Sequence, residues 1–251
     1  MRRLSFLITP SPFLVLLASL LLNSLSATGQ ARAARELSQQ GTKGTVQPGQ
    51  SAEPSRINRP TSEPYKGKLS IFEDPKRAQR LQIERVMDVL GIKEGANVAD
   101  IGAGSGWFTV RAARRVGGTG TVYAVEINQS FLEHIRGRAT SEGLTNVRTV
   151  LGKEDNPLLP SQSLDAVLIL KAYHEIAQPV LLLSHLRESM RPGALLGIID
   201  KNGRGDDHGI ERATVIKEAK LAGFALVETY DFVKPDGMDY FLVFKGQIAE
   251  Q

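Results

Sequence analysis

Three acids, three glycines and a histidine stand where this chain could do chemistry. Asp100 opens the stretch Asp100-Ile101-Gly102-Ala103-Gly104-Ser105-Gly106, Glu126 closes a later apolar run, and His174 with Glu175 follows a third. Glycine lacks Cβ and tolerates positive φ, so Gly102, Gly104 and Gly106 let the backbone bend closely beneath a ligand. A helix beginning near Trp107 then offers unpaired N–H groups at its N-terminus. The spacing excludes several ligands. A dinucleotide fingerprint needs glycine at its first, third and sixth positions, and the sixth from Gly102 is Trp107. No Gly-Lys-Ser/Thr follows, so a phosphate-binding P-loop fails. A nucleophile elbow on Ser105 would need glycines where Ala103 and Trp107 stand.

These residues need rigid elements behind them, and the apolar pattern supplies a set. Val98, Ala99 and Ile101 form a short buried strand ahead of the glycines, and Trp107 to Val116 a helix closed by Gly117-Gly118. Thr121 to Val125 is a second strand running into Glu126. A helix capped by Asn128 and stopped by Gly143 follows, then strands at Val147 to Leu151 and Leu164 to Leu170. Upstream, Asp74-Pro75 reads as a helix start and Gly91 as its stop, with Leu81, Ile83, Val86, Met87 and Leu90 as one continuous stripe. Downstream, Pro179 opens a helix with Leu182, Leu183, Leu186 and Met190 on one face, ended by Arg191-Pro192-Gly193. Leu195 to Ile199 is the fifth strand and Ile210 to Leu221 a helix. Ala225 to Tyr230 and Tyr240 to Phe244 form an antiparallel pair across the turn sequence Lys234-Pro235-Asp236-Gly237. The expected fold is α/β, a doubly wound, mostly parallel seven-stranded sheet with an antiparallel C-terminal hairpin.

The motif from Asp100 to Gly106, an acid followed by Gly-x-Gly-x-Gly, resembles the first motif of the class I S-adenosylmethionine-dependent methyltransferases, and the likeness extends from about Asp74 to Lys245. It implies S-adenosyl-L-methionine as cofactor, held by Asp100, Gly102, Ala103, Gly104 and Gly106, with Glu126 and Ile127 at the ribose and Lys171 at the far edge. An acid after the third strand would take the adenine amino group. Counting back from Pro160 favours Asp155, counting from Gly152 favours Glu154, and a plain surface turn is the third reading. The edge Lys171-Ala172-Tyr173-His174-Glu175 would face the transferable methyl, with Tyr173, His174 and Glu175 as catalytic candidates. His174 is a general base oriented by Glu175, or else a hydrogen-bonded packing residue. No metal is expected, because His-Glu followed by Ile176-Ala177-Gln178 lacks the second histidine of the zinc motif. Asp165 reads as structural, His134 and His185 as surface or packing residues, and His208 as part of a lid.

Composition sets the outer limits. Residues 1–33 carry Arg2 and Arg3, an apolar run from Phe13 to Leu22 and small residues at Ala27-Thr28-Gly29 or Ala31-Arg32-Ala33, the pattern of an export signal. An uncleaved anchor is the alternative, although the run is shorter than the ~20 residues that span a bilayer. Residues 34–70, rich in Gln, Ser, Gly, Pro and Thr, read as a flexible tether, and 71–246 as the folded domain. The formal charge of +4 loses Arg2, Arg3 and Arg32 with the signal, so a basic surface for nucleic acid is not expected. The absence of cysteine suits an oxidising compartment. Three functions follow in order of preference. The first is a methyltransferase acting on a small or unidentified acceptor. The second is an exported, non-enzymatic binding protein that keeps the fold. The third is a nicotinamide-dependent oxidoreductase, which Trp107 and the hairpin disfavour.

Overall fold

Largely apolar central strands alternating with amphipathic helices call for a sheet covered on both faces, and the chain builds one. The computed structural model describes residues 65, 67–204 and 208–247; the signal-like segment and most of the tether lie outside them. Seven strands, β1 (Asn97–Ile101), β2 (Thr121–Glu126), β3 (Val147–Leu151), β4 (Leu164–Leu170), β5 (Met190–Asp200), β6 (Phe224–Tyr230) and β7 (Tyr240–Gly246), lie in the order β3-β2-β1-β4-β5-β7-β6. The first five are parallel, while β7 runs antiparallel between β5 and β6. The order reverses between β1 and β4, which opens a crevice beyond their carboxyl ends.

Side chains of β1 alternate between the two faces. Val98 packs with α1 (Arg77–Leu81), α2 (Ile83–Val89) and α3 (Trp107–Val116). Ala99 and Ile101 pack with α5 (Pro179–Ser189) and α6 (Arg212–Leu221). Ile135 of α4 (Gln129–Ser141) sits on Ala124 of β2. Asn128 caps α4 by accepting from the Ser130 N–H, and Asp165 at the foot of β4 accepts from Asn97 N at 2.8 Å and pairs with Arg191 at 2.6 Å. Asp165 therefore ties strand ends together, as expected.

Three expected elements differ. The stripe from Leu81 to Leu90 is two helices, because Gln82 adopts φ 52° between α1 and α2 while its side-chain amide donates to the Phe232 carbonyl. Asp74 is not the cap expected of it: it accepts from the Lys76 N–H in a turn, and α1 begins only at Arg77 with Lys76 at its N-cap position. Met190 leaves α5 and begins β5 opposite Leu164, so Arg191, Pro192 and Gly193 belong to the strand. Ile210 precedes α6 and bridges to Arg204. The end of the presumed tether also has structure: Leu69 and Ser70 belong to a 3-10 turn, Leu69–Phe72. Among the described residues no helix is long and apolar enough to cross a membrane.

Candidate active site

The crevice at the strand reversal is a cavity of about 510 Å³. Its floor is the turn after β1. Gly102, Gly104 and Gly106 have φ of 70°, 54° and 73°, conformations a side chain rarely adopts. Space also demands the first of them, since a Cβ on Gly102 would lie 2.6 Å from the Ala172 Cβ. Ala103 lines the same floor, and Trp107, where a dinucleotide fold would have glycine, is buried as the first residue of α3.

Two acids flank the turn because β1 and β2 are neighbours whose ends are level. Glu126 Oε1 accepts from the Gly104 N–H at 2.6 Å, and Oε2 accepts from the Ile127 N–H at 3.1 Å. Asp100 is 2 % exposed and accepts from the Thr109 hydroxyl at 2.6 Å. Burial pushes the Asp100 carboxyl up to about 7, with the nearby Glu126 charge adding to the rise and Thr109 opposing it. Burial likewise raises Glu126 against the N–H groups that hold it. Two desolvated carboxyls in one cavity favour a ligand bringing hydroxyls or positive charge.

Of the two candidates after β3, Glu154 lines this cavity together with Lys153. Asp155 lines an adjoining shallow cleft, and its carbonyl contacts His185 Nδ1 at 2.9 Å. Ile127 and Lys171 line the main cavity, the latter with φ 53° as the chain leaves β4.

The edge after β4 divides. Tyr173 turns into the core, fully buried, and its hydroxyl donates to Glu218 of α6 at 2.9 Å. It is not a cavity residue, which removes it as a catalytic candidate: the 3-10 turn Tyr173–Glu175 can present only one side to the crevice, and it presents His174 and Glu175. His174 is 4 % exposed, and its Nδ1 lies 3.0 and 2.9 Å from the two carboxylate oxygens of Asp200. Asp200, not Glu175, therefore orients the imidazole. Glu175 Oε1 instead stands 3.7 Å from Nε2, on the opposite nitrogen.

Sequence reasoning misses Asp200 although its signal is present, an acid ending the apolar run of β5 as Glu126 ends that of β2. Arg77, ahead of the apolar stripe, carries no local mark of a site. It is buried at the cavity wall, stacks 4.6 Å over the Trp107 ring and pairs with Asp236 at 3.4 Å. Tyr65 and Phe72, rings 5.4 Å apart edge to face, bring the end of the presumed tether onto the same cavity, and His208 reaches it from beyond β5.

Residues 98–193 match the family model described as a methyltransferase domain. The chain is 28% identical over 111 residues to a protein-L-isoaspartate O-methyltransferase of Pyrococcus horikoshii, covering 44% of this chain and 47% of that one. It is 29% identical over 122 residues to a ubiquinone/menaquinone biosynthesis C-methyltransferase of Hydrogenovibrio crunogenus, covering 48% of each. These matches support a class I S-adenosylmethionine-dependent methyltransferase family for the matched segment. A crystal structure of a SAM-dependent methyltransferase from Aquifex aeolicus shares the fold of this chain, with a TM-score of 0.64, 24% identity, and coverage of 70% of this chain and 95% of that one. So does the [4+2]-cyclase SpnF, with a TM-score of 0.57, 16% identity, and coverage of 67% and 80%. The methyltransferase fold thus also carries a protein named for another reaction, and the chain spans about half or less of the length of the first curated relatives it matches.

Proposed function

We propose that the protein is a methyltransferase that binds S-adenosyl-L-methionine in the cavity over the glycine turn and methylates an acceptor entering beside His174 and Glu175. The observation that carries this reading is the position of Glu126, turned onto the glycine turn with its carboxyl inside the cavity. The residues fit the cofactor. Gly102 and Gly104 bring bare backbone to the cavity wall, Glu126 offers acceptor oxygens for ribose hydroxyls, and Glu154 lines the same cavity with a carboxyl able to accept from an adenine amino group. Asp100, beside the turn, offers negative charge to the cationic end of the ligand. S-adenosylmethionine, when bound, supplies a methyl on an already electrophilic sulfonium. The chain's task is then to align the acceptor and keep water out, and positioning of this kind is worth ~7 to 11 kcal/mol of barrier.

Calorimetric titration with S-adenosylhomocysteine tests the reading, with saturable binding of one equivalent expected and no heat or thermal shift overturning it. Tyr173→Phe provides a contrast. It should leave that affinity within about twofold while lowering unfolding free energy in urea by ~1.5 to 3 kcal/mol, the worth of one charge-assisted hydrogen bond. A tenfold loss of affinity in this variant would return Tyr173 to the site.

The export-like pattern of residues 1–33 favours a second reading, since it would part the chain from a cofactor made in the cytoplasm. In that case the same cavity holds another ligand and the protein is a binding module. The same titration separates the two.

A further inference from the structure

Asp200 gives His174 a defined chemical state. Fully buried, it accepts from the His174 backbone N–H at 3.2 Å and from the Lys201 N–H at 3.0 Å, while both its oxygens face His174 Nδ1. A carboxylate can only accept, so Nδ1 carries the proton and Nε2 presents a lone pair. That lone pair meets Glu175 Oε1 at 3.7 Å, beyond hydrogen-bond range, so two electron-rich atoms face each other. His208 adds a third: its ring stands 5.8 Å from that of His174 at 81°, and one ligand atom from each of His174, Glu175 and His208 lies within 4.8 Å of the others.

We propose that His174, Glu175 and His208 bind a divalent cation of the zinc class, with Asp200 holding His174 in the ligating tautomer. Two histidines and one carboxylate form a known three-ligand set for zinc with an open fourth position, and ligand bonds of 2.0–2.2 Å in a tetrahedron put ligand atoms roughly 3.4 Å apart. The His174–Glu175 separation is already near that value. His208 is the exposed member, so it is the one free to close the remaining distance. A metal-bound histidine characteristically donates its other N–H to a carboxylate, as His174 does here. A histidine acting as a base would need Asp200 but not a second imidazole and a second acid aimed at the same nitrogen.

His174, Glu175 and His208 all line the cavity, so a cation held by them would take as its fourth ligand an acceptor whose oxygen or sulfur binds as the anion, its proton released to solvent. That role rests on the methyl-transfer reading, whereas the binding itself does not. The full chain, stripped with EDTA and titrated calorimetrically with zinc chloride, should take up one equivalent. His208→Ala and Glu175→Gln should each weaken uptake at least tenfold, and Asp200→Asn about 10- to 100-fold. His134→Ala, an exposed histidine on α4, should change nothing. No uptake, or uptake equally strong in His208→Ala and Glu175→Gln, overturns the proposal. Titrating the same preparations with S-adenosylhomocysteine keeps the two readings apart. Homocysteine-nucleoside binding without zinc uptake removes the metal site alone, and zinc uptake without it upholds the site and removes the methyl-transfer role.

Discussion

Glu126→Ala is expected to weaken S-adenosylhomocysteine binding at least a hundredfold while far-ultraviolet circular dichroism stays unchanged. Hydrogen bonds from two ribose hydroxyls to a shielded carboxylate are worth ~1.5 to 3 kcal/mol each, and a hundredfold is about 2.7 kcal/mol. Desolvation works in the same direction. Burial raises Glu126, so the unliganded cavity holds an acid with fewer partners than its charge calls for, and incoming hydroxyls supply them. The change also removes the acceptor of the Gly104 and Ile127 N–H groups. Some loosening of the turn should therefore lower the melting temperature by a few degrees, since ~1 kcal/mol shifts a domain of this size by about 2–4 °C. Glu126→Gln, which keeps one acceptor oxygen, should fall between the two. Affinity within threefold of the parent for Glu126→Ala would remove the ribose role and with it the main support for the function.

The second large effect is on stability and comes from Asp100. Its carboxyl sits at about 7 in the folded protein against ~3.9 in an unfolded chain, so between these values the native state holds the proton that the unfolded state has released. Native protein then binds more protons than unfolded, and stability must fall as pH rises through that window. Below about pH 4 both states are protonated and the effect vanishes; above about 7 it is complete. With ~1.4 kcal/mol per pH unit the loss is on the order of 4 kcal/mol, a large part of the ~5–15 kcal/mol that holds a domain together. Asn in this place can still accept from Thr109 and carries no charge. Asp100→Asn should match the parent near pH 4 and exceed it by a few kcal/mol at pH 8, measured by urea unfolding at pH 4, 6 and 8 without ligand. Parallel curves for the two proteins across that range would show that Asp100 is solvated. A charged Asp100 at neutral pH thus weakens the fold, and a cationic ligand would recover the loss.

The central strands were readable because their burial is nearly uniform. Leu164–Leu170 coincides with its apolar run, three positive-φ glycines mark the end of β1, and Val147–Leu151 keeps its expected bounds as an edge strand with exposed Arg148 and Leu151. The doubly wound class followed from the alternation of elements, and the interest of Glu126 from the rule that strand ends carry ligands. What failed depended on contacts between distant parts. No local residue announces the break at Gln82, which is held by an amide bond to Phe232 far along the chain. Met190 satisfies the stripe of α5 as well as the register of β5, and pairing with β4 decided it. Tyr173 and His174 are adjacent and equally plausible in type. Only the 3-10 turn tells which faces the crevice. His208 stands beside His174 although α5 and β5 separate them in the chain, a proximity that no local spacing shows.

The reversed strand β7 has a bearing on how the protein is made. It pairs with β5 up to Tyr240 opposite Asp200, and the Asp239 N–H donates to the Asp200 carbonyl. Until β7 is synthesised and slots in between β5 and β6, β5 is an open, apolar border of the sheet, the kind of border that recruits other chains. Translation thus delivers the glycine turn early and the support for Asp200 late. A nascent chain carries half a pocket, and a ligand that bridges both halves would speed the closing step or rescue variants that stall before it.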